Sequence, residues 1–375
     1  MDPKAASTEQ SSFSGGSELL MRTLDRYIAI TVATHSGFAL LALVAIFSMV
    51  NLMQELREVG VGDYGAMQAT WFTLLTAPAE AYTLFPAAAL IGGVSALGTL
   101  AGNNELVAMW VAGVSKMRTI RSALQAAVGL IVVAVLFGEL IAAPLAQRAS
   151  RERSVGLSAG KAMTSANGLW ARDGSRFINA RHPNPGGALQ DVYVYEFDAD
   201  YVLKRFSYAR DALYEEKRWH VEDLIDNQVT DGGVVSEHAE RREWDVSLTP
   251  KQIRLLSLPP EYLSMVELRR SSRDLVGRGE NPQRLQLAFW NRAAFPLVTL
   301  AMVLLAVPLV LTGSRTARLG QRIVVGALIG IGFQIFAETF ATFAIAYGVP
   351  PIVGAFVPVA TIAVAATAGL RRMDY

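Results

Sequence analysis

The sequence contains no cysteine and only four histidines among its 375 residues. The missing cysteines exclude disulfides, thiolate nucleophiles and cysteine metal clusters. The histidines lie too far apart in the sequence to show the ligand spacing of a metal site: His35, His182, His220 and His238. We therefore expect no bound metal.

Signatures of nucleotide binding and of catalysis are also missing. No G-x-x-x-x-G-K-[ST] loop occurs, so we expect this chain to bind no cofactor. The run GLSAG at 156–160 matches G-x-S-x-G, but the strand–turn–helix context of a hydrolase nucleophile is missing. A net charge of +1 gives no reason to expect nucleic acid as a partner. The chain is therefore predicted not to be an enzyme.

Long apolar stretches are the main feature that the sequence does have. Hydrophobic residues make up 52% of the chain, and the mean hydropathy is +0.30. A helix needs about 20 largely apolar residues to cross a bilayer. Stretches of this kind occupy 28–50, 72–101, 119–143, 285–311, 323–346 and 350–369. The fold class predicted is an α-helical integral membrane protein with six transmembrane helices.

Basic residues predict how these helices face. They accumulate before the first helix, between the second and third, between the fourth and fifth, and after the sixth: Arg22, Arg26; Lys116, Arg118, Arg121; Arg315, Arg318, Arg322; Arg371, Arg372. Because Lys and Arg accumulate in cytoplasmic loops, both termini are expected inside the cell. The long polar region 147–280 then lies on the opposite side of the membrane.

The polar region predicts an all-β domain inserted between helices 3 and 4. Segments rich in Tyr, Val, Phe and Trp alternate with the turn clusters DAD, EEK and DGG, a pattern typical of a jelly roll or antiparallel sandwich. In one such strand we expect the aromatic side, Tyr193, Tyr195 and Phe197, to face the core. The predicted organisation is a disordered cytoplasmic tail (1–20), helices 1–3 (21–146), a jelly-roll-like domain (147–258), a connector (259–284) and helices 4–6 (285–375).

A short amphipathic helix is predicted at 103–117, between the second and third membrane helices. Its ends suit the helix dipole, with Asn103 or Asn104 and Glu105 at the N-terminus and Lys116 and Arg118 at the C-terminus. One side carries Leu106, Met109, Trp110 and Gly113. Two interpretations remain open: a helix lying on lipid, anchored by Trp110, or a coupling helix that fits a groove on an ATPase.

Charged residues near the outer ends of the membrane helices form two further groups. Glu139 and Arg292 are placed at similar depth, and we predict a structural ion pair between them rather than a substrate contact. Arg148, Arg151 and Arg153 follow the third helix on the side where basic residues are unusual. Anion binding and simple exposure to solvent or headgroups both remain open for them.

Several motifs carry a resemblance to a known family. They are LDRYI at 24–28, WFTLLTAPAE at 71–80, FPAAALIGGVSALGTLAGNNELVAMWVAGVS at 85–115, GLWARDGSRFI at 168–178, NRAAFPL at 291–297 and YGVPPIVGAFVPV at 347–359. The chain resembles the LptF/LptG permeases of the lipopolysaccharide export transporter of Gram-negative bacteria. The resemblance covers nearly the whole chain after the tail. LDRYI, NELVAMWVAG and GLWARDG are closer to the LptG branch than to the LptF branch.

The resemblance implies a function and a set of partners. The chain would be a permease of the bacterial inner membrane that extracts lipopolysaccharide from the outer leaflet and passes it to an LptA-like periplasmic bridge. It would pair with an LptF-like permease, an LptB-like ATPase dimer and an LptC-like single-span protein. ATP and magnesium would be used by the ATPase. The alternatives are the LptF-type paralogue and a non-transporting membrane scaffold coupled to an ATPase.

The resemblance also implies roles for particular residues. The ATPase would contact the coupling helix at Asn104, Glu105, Leu106, Met109 and Trp110. Lipid phosphates would meet Arg57 and Arg153, whereas Asn51 and Glu58 stand where close relatives carry lysine. Acyl chains need an apolar wall, which the first and fifth helices would supply through Phe38, Leu41, Ile46, Phe333 and Phe336. Contact with bilayer lipid or packing within the bundle remains open for each of them. In the β domain, Tyr193, Tyr195 and Phe197 could line a path for lipid instead of the core that we favour.

Overall fold

The backbone in a bilayer must satisfy its own hydrogen bonds, and an α-helix does so within one segment. Six of the helices in the described part of the chain are long and apolar enough to cross a membrane. They are Thr23–Glu58, Ala66–Gly102, Lys116–Leu157, Gln283–Leu311, Leu319–Ala346 and Pro351–Arg371. The predicted number and order of membrane helices are confirmed.

The structure is a computed structural model. It describes residues 3–158, 169–173, 175–183, 188–198, 202–215, 218–230, 232–244, 249, 258–277, 280–311 and 319–372. Within these ranges side chains are described from Thr23 onward, except at 158, 169, 171–173, 182 and 183. Within the tail predicted at 1–20, the described backbone from Pro3 onward is helical and no side chains are described, so the predicted disorder is not confirmed.

The α-helices in the described residues are α1 (Pro3–Glu55), α2 (Ala66–Gly102), α3 (Glu105–Val111), α4 (Lys116–Phe137), α5 (Ala143–Ser158), α6 (Met265–Gly277), α7 (Gln283–Leu311), α8 (Leu319–Ala346) and α9 (Pro351–Arg371). A π-helical turn, Gly138–Ala142, joins α4 to α5 and completes the third membrane helix. The chain divides into two compact units. The first contains Met1–Ile46, Glu80–Phe137 and Trp290–Tyr375, and the second contains Phe47–Ala79 and Gly138–Phe289.

The core of the first unit is built around α2. Its most apolar window is 83% buried, whereas that of α1 is 6% buried. Small residues allow α2 to be buried in this way, because they let helix backbones approach closely. A Cβ added at Gly92 would lie 2.2 Å from the Cα of Ser36 on α1. Around this contact Ile28, Val32 and Leu90 form part of a buried cluster.

The inserted β domain belongs to the second unit. Its strands are β1 (Leu169–Asp173), β2 (Arg176–Pro183), β3 (Leu189–Phe197), β4 (Leu203–Glu215), β5 (Arg218–Thr230) and β6 (Gly233–Trp244). Each strand pairs antiparallel with the next, so the sheet order follows the chain order. The predicted all-β insertion between helices 3 and 4 is confirmed. Among the described strands its order is that of a meander.

The core face of this sheet is the opposite of the one predicted. Val192 and Val194 are 1% and 7% exposed, whereas Tyr193 is half-buried. On the buried side Val192 lies opposite the small Ala209, whereas on the other side Tyr193 lies opposite Tyr208. The small side packs into a dense cluster around Trp219. The aromatic side is instead stabilised by pairs across strands, such as Tyr193 and Tyr208 with ring centroids 5.0 Å apart.

Because α1 and α2 are in close contact at Gly92, we expect replacement of this glycine by a larger residue to disturb the packing of the two helices. We expect Gly92→Ala to force the helices apart and to cost about 1–3 kcal/mol of stability, since the clash is with backbone. Gly129→Ala is the matched control, because a Cβ added at this helical glycine meets nothing within 4 Å. Thermal unfolding in detergent measures both variants. Equal melting temperatures would contradict the packing described.

Candidate functional site

Helix α3 is shorter than the predicted segment 103–117. It spans Glu105–Val111, and Asn104 precedes it with a left-handed φ of 59° and no side-chain cap. Gly113, with a φ of 91°, ends the helix in the left-handed conformation that glycine favours. The backbone N–H of Val114 donates to the carbonyl of Met109 at 3.0 Å and closes the turn. Lys116 therefore begins α4 instead of ending α3.

The apolar side predicted for this helix faces the protein. Leu106 is 1% exposed, and Met109 and Trp110 pack against the same buried cluster. The opposite side is apolar as well, with Val107 47% exposed and Val111 84% exposed. Leu106, Met109 and Trp110 therefore anchor α3, and the exposed valines form its outer surface.

Glu105 is held by two side-chain donors. The hydroxyl of Tyr27, on α1, donates to Oε2 at 2.8 Å. The amide of Asn103 donates to Oε1 at 3.1 Å. Asn103 thus binds the carboxylate of Glu105 and does not cap the backbone of α3. Through Tyr27 the short helix is tied to the start of the first membrane helix.

A second contact ties the same part of α1 to α4. The Asp25 carboxylate accepts from Arg118 at two points, Nη2 at 2.8 Å and Nε at 3.2 Å. It also accepts from the hydroxyl of Ser122 at 2.6 Å. We call Asp25, Tyr27, Glu105, Arg118 and Ser122 the first-helix clamp. Its partners are 78 to 97 positions apart in the sequence, so sequence patterns alone missed it.

The two arginines predicted to meet lipid phosphates have different surroundings. Arg57 is exposed, and no ion pair found among the described residues involves it. Arg153 donates from Nε to Glu55 Oε2 at 2.7 Å, and its guanidinium lies 5.5 Å from the ring centroid of Phe72. Arg57 therefore presents its charge outward, and Arg153 is engaged within the protein.

Glu55 has a second donor besides Arg153. It is 8% exposed, and the hydroxyl of Tyr64 donates to its Oε2 at 2.9 Å. Burial raises the pKa of Tyr64, and the hydrogen bond to Glu55 raises it further, so the phenol remains a neutral donor. The carboxylate thus receives both a cation and a hydroxyl. This contact fixes the position of Arg153.

The apolar residues predicted to contact acyl chains are mostly on exposed surfaces. Phe38, Leu41 and Ile46 on α1 are 68%, 68% and 60% exposed. On α8, Phe336 is 40% exposed, whereas Phe333 packs against the buried cluster of the first unit. Part of the Phe333 side chain is therefore covered by the protein and is not available to an acyl chain.

The predicted ion pair between Glu139 and Arg292 stays a prediction. The Glu139 carboxylate accepts from the backbone N–H of Met265 at 2.9 and 3.2 Å. The guanidinium of Arg292 lies 5.1 Å from the ring centroid of Tyr82. Within the described residues, no group of three or more His, Asp or Glu side chains could hold a metal ion.

Comparison with known proteins identifies the family. A family model described as "Lipopolysaccharide export system permease LptF/LptG" matches residues 26–372. The chain belongs to the LptF/LptG family. It is 32% identical to "Lipopolysaccharide export system permease protein LptG" of Haemophilus influenzae over 341 residues. The aligned region covers 90% of this chain and 95% of that protein. The protein of the same name from Escherichia coli strain K12 is 30% identical over 341 residues, with the same coverage. Within this family, the chain is similar to LptG proteins over 90% of its length.

Glu55 is expected to be important because it neutralises a partly buried arginine. Glu55→Gln should lower the free energy of unfolding by roughly 1–3 kcal/mol, because Arg153 loses its charged partner. Glu152→Gln is the control, since Glu152 also pairs with an arginine at 2.7 Å but both side chains are exposed, 66% and 42%. That change should stay below about 0.5 kcal/mol. Unfolding curves that shift equally would contradict the assigned role of Glu55.

Proposed function

We propose that this chain is an LptG-type permease of a lipopolysaccharide exporter and has no catalytic activity of its own. The observation that carries the proposal is the 30–32% identity to LptG proteins over 341 residues. The family match over residues 26–372 includes both the membrane helices and the inserted β domain. An ATPase dimer of the LptB type would hydrolyse ATP with magnesium. An LptF-like permease, an LptC-like single-span protein and an LptA-like bridge would complete the path.

The proposed location is the inner membrane, with both termini cytoplasmic and the β domain periplasmic. The alternation of basic segments supports this orientation. Arg26 lies near the start of the first membrane helix, Lys116 and Arg118 lie at the start of the third, and Arg371 ends the sixth. In this orientation the first-helix clamp and α3 lie on the side where the ATPase works. The β domain lies on the side toward which lipopolysaccharide moves.

In the proposed mechanism the ATPase docks on the exposed side of α3. Val107 and Val111 are available for an apolar groove, while Leu106, Met109 and Trp110 hold α3 to the core. Movement of α3 would then reach α1 through the hydrogen bond between Tyr27 and Glu105. This differs from the expectation that Glu105 contacts the ATPase directly. Here both of its carboxylate oxygens already accept hydrogen bonds.

Substrate contacts are proposed from charge and exposure. Arg57 is the first candidate for a lipid phosphate, because guanidinium groups bind phosphate bidentately and this one is exposed. A phosphate at Arg153 would compete with Glu55 for the guanidinium. The exposed side chains of Phe38, Leu41 and Ile46 supply apolar surface for acyl chains.

Photo-crosslinking tests the export function directly. A photoreactive residue replaces Phe38, or separately Tyr193, in the full complex reconstituted with lipopolysaccharide. We expect capture at Phe38 with or without ATP, and capture at Tyr193 only while ATP is hydrolysed. A complex whose ATPase cannot hydrolyse ATP is the control. If neither position captures lipopolysaccharide in a complex that hydrolyses ATP, the export proposal is wrong and the scaffold alternative gains support.

A further inference from the structure

The connector between the β domain and the fourth membrane helix contains a helix with a fixed orientation. One side of α6 buries Leu268 and Leu275, which are 0% and 6% exposed. They form a cluster with Leu263 and with Leu285, which lies in the first turn of α7. Because α7 is the fourth membrane helix, α6 packs directly against the end of a membrane span.

Polar contacts tie the same helix to the third membrane helix. The Glu139 carboxylate accepts the N–H of Met265, the first residue of α6, at 2.9 Å. The amide of Gln147, on α5, donates to Glu267 Oε2 at 2.8 Å and to the carbonyl of Tyr262 at 3.0 Å. The leucine cluster on one side and these bonds at the N-terminus hold α6 in one orientation. This orientation determines which residues face outward.

The outward side of α6 is basic and apolar. Arg269, Arg270 and Arg273 are exposed, and Val266 and Val276 on the same side are 77% and 57% exposed. At 100° per residue these five positions fall within one third of the helix circumference. No ion pair found within the described part of the chain involves the three arginines.

The acidic residues of α6 do not lie on this side. Glu267 faces the protein and accepts hydrogen bonds from Gln147 and from Ser264. Asp274 is half-buried and takes part in another interaction. It follows Arg270 by four positions and so borders this side, where it is one negative charge beside three positive ones.

We propose that Arg269, Arg270 and Arg273, with Val266 and Val276, form a binding site for the phosphate groups of anionic lipid headgroups. Charge complementarity supports this ligand, because guanidinium groups recognise phosphate bidentately. Contact with the first turn of α7 places the site beside a membrane helix, where exposed valines can enter the headgroup layer. The assignment to the periplasmic leaflet depends on the orientation given under the proposed function. The site is separate in sequence from Arg57 and Arg153.

The test uses the full complex in nanodiscs that contain radiolabelled phosphatidylglycerol. A photoreactive residue replaces Val266, and lipid capture is compared between otherwise unaltered protein and the triple variant Arg269→Gln, Arg270→Gln, Arg273→Gln. We expect the triple variant to capture about tenfold less lipid, since each basic residue near an anionic surface adds to binding. The control removes the same charge from exposed arginines of the β domain, Arg205→Gln, Arg210→Gln, Arg241→Gln. Its capture should equal that of the unaltered protein.

Other outcomes would overturn the inference. Equal lipid capture by the triple variant would show that the arginines do not bind headgroups. An adduct with a protein in place of lipid would identify this surface as a protein interface. ATP-driven lipopolysaccharide release is measured on the same preparations. If phosphatidylglycerol is captured at Val266 but lipopolysaccharide is not released, only the export function is contradicted. If lipopolysaccharide is released normally but phosphatidylglycerol is not captured, only the lipid site is contradicted.

Discussion

The carboxylates of Asp25 and Glu105 attach the first membrane helix to the start of the third and to the short helix α3. Lipid offers no hydrophobic driving force between helices, so close packing and polar contacts must hold a membrane helix in place. This matters most for α1, whose most apolar window is only 6% buried in the protein. Arg118 and Tyr27 supply the polar contacts. Gly92, which admits the α1 backbone at Ser36, supplies the close packing.

A similar principle operates in the second unit. Glu55, close to the end of α1, binds Arg153 of α5 and Tyr64 of the loop before α2. Glu139 and Gln147 bind the start of α6 and the turn before it. In each case a charged or amide side chain of a membrane helix binds a different segment of the same unit. Ionisable residues near the membrane thus position other elements, and this limits which of them can meet a ligand.

The general architecture could be predicted because it depends on local properties of the chain. Hydropathy marks each membrane helix without reference to its neighbours, and alternating aromatic strands with turn clusters mark the β insertion. The details that depend on distant partners could not be predicted. Tyr27 and Glu105 are 78 positions apart, and Arg153 and Glu55 are 98 apart. No spacing rule joins such pairs.

Two local predictions were wrong for physical reasons. The helix expected at 103–117 ends at Val111, because Gly113 adopts a left-handed φ that the charge pattern did not reveal. The core side of β3 was reversed, because both sides of the strand carry apolar residues. Residues of the neighbouring strands decided between them, since Val192 shares its side with Ala209 and Trp219 in one buried cluster.

The central claim is that α3 and the start of α1 move together when the ATPase acts. The chain has no cysteine, so introduced cysteines are unique labelling sites. Spin labels at Ile30→Cys and Ala112→Cys, which are both exposed and lie apart from the two docking valines, report the distance between α1 and the end of α3 in the full complex. In the protein with Tyr27 intact, we predict one narrow distribution of distances between the labels, the same without nucleotide and with ATP trapped. In Tyr27→Phe, we predict that the distance changes with the nucleotide. A distance that already changes with ATP in the protein with Tyr27 intact would contradict the claim.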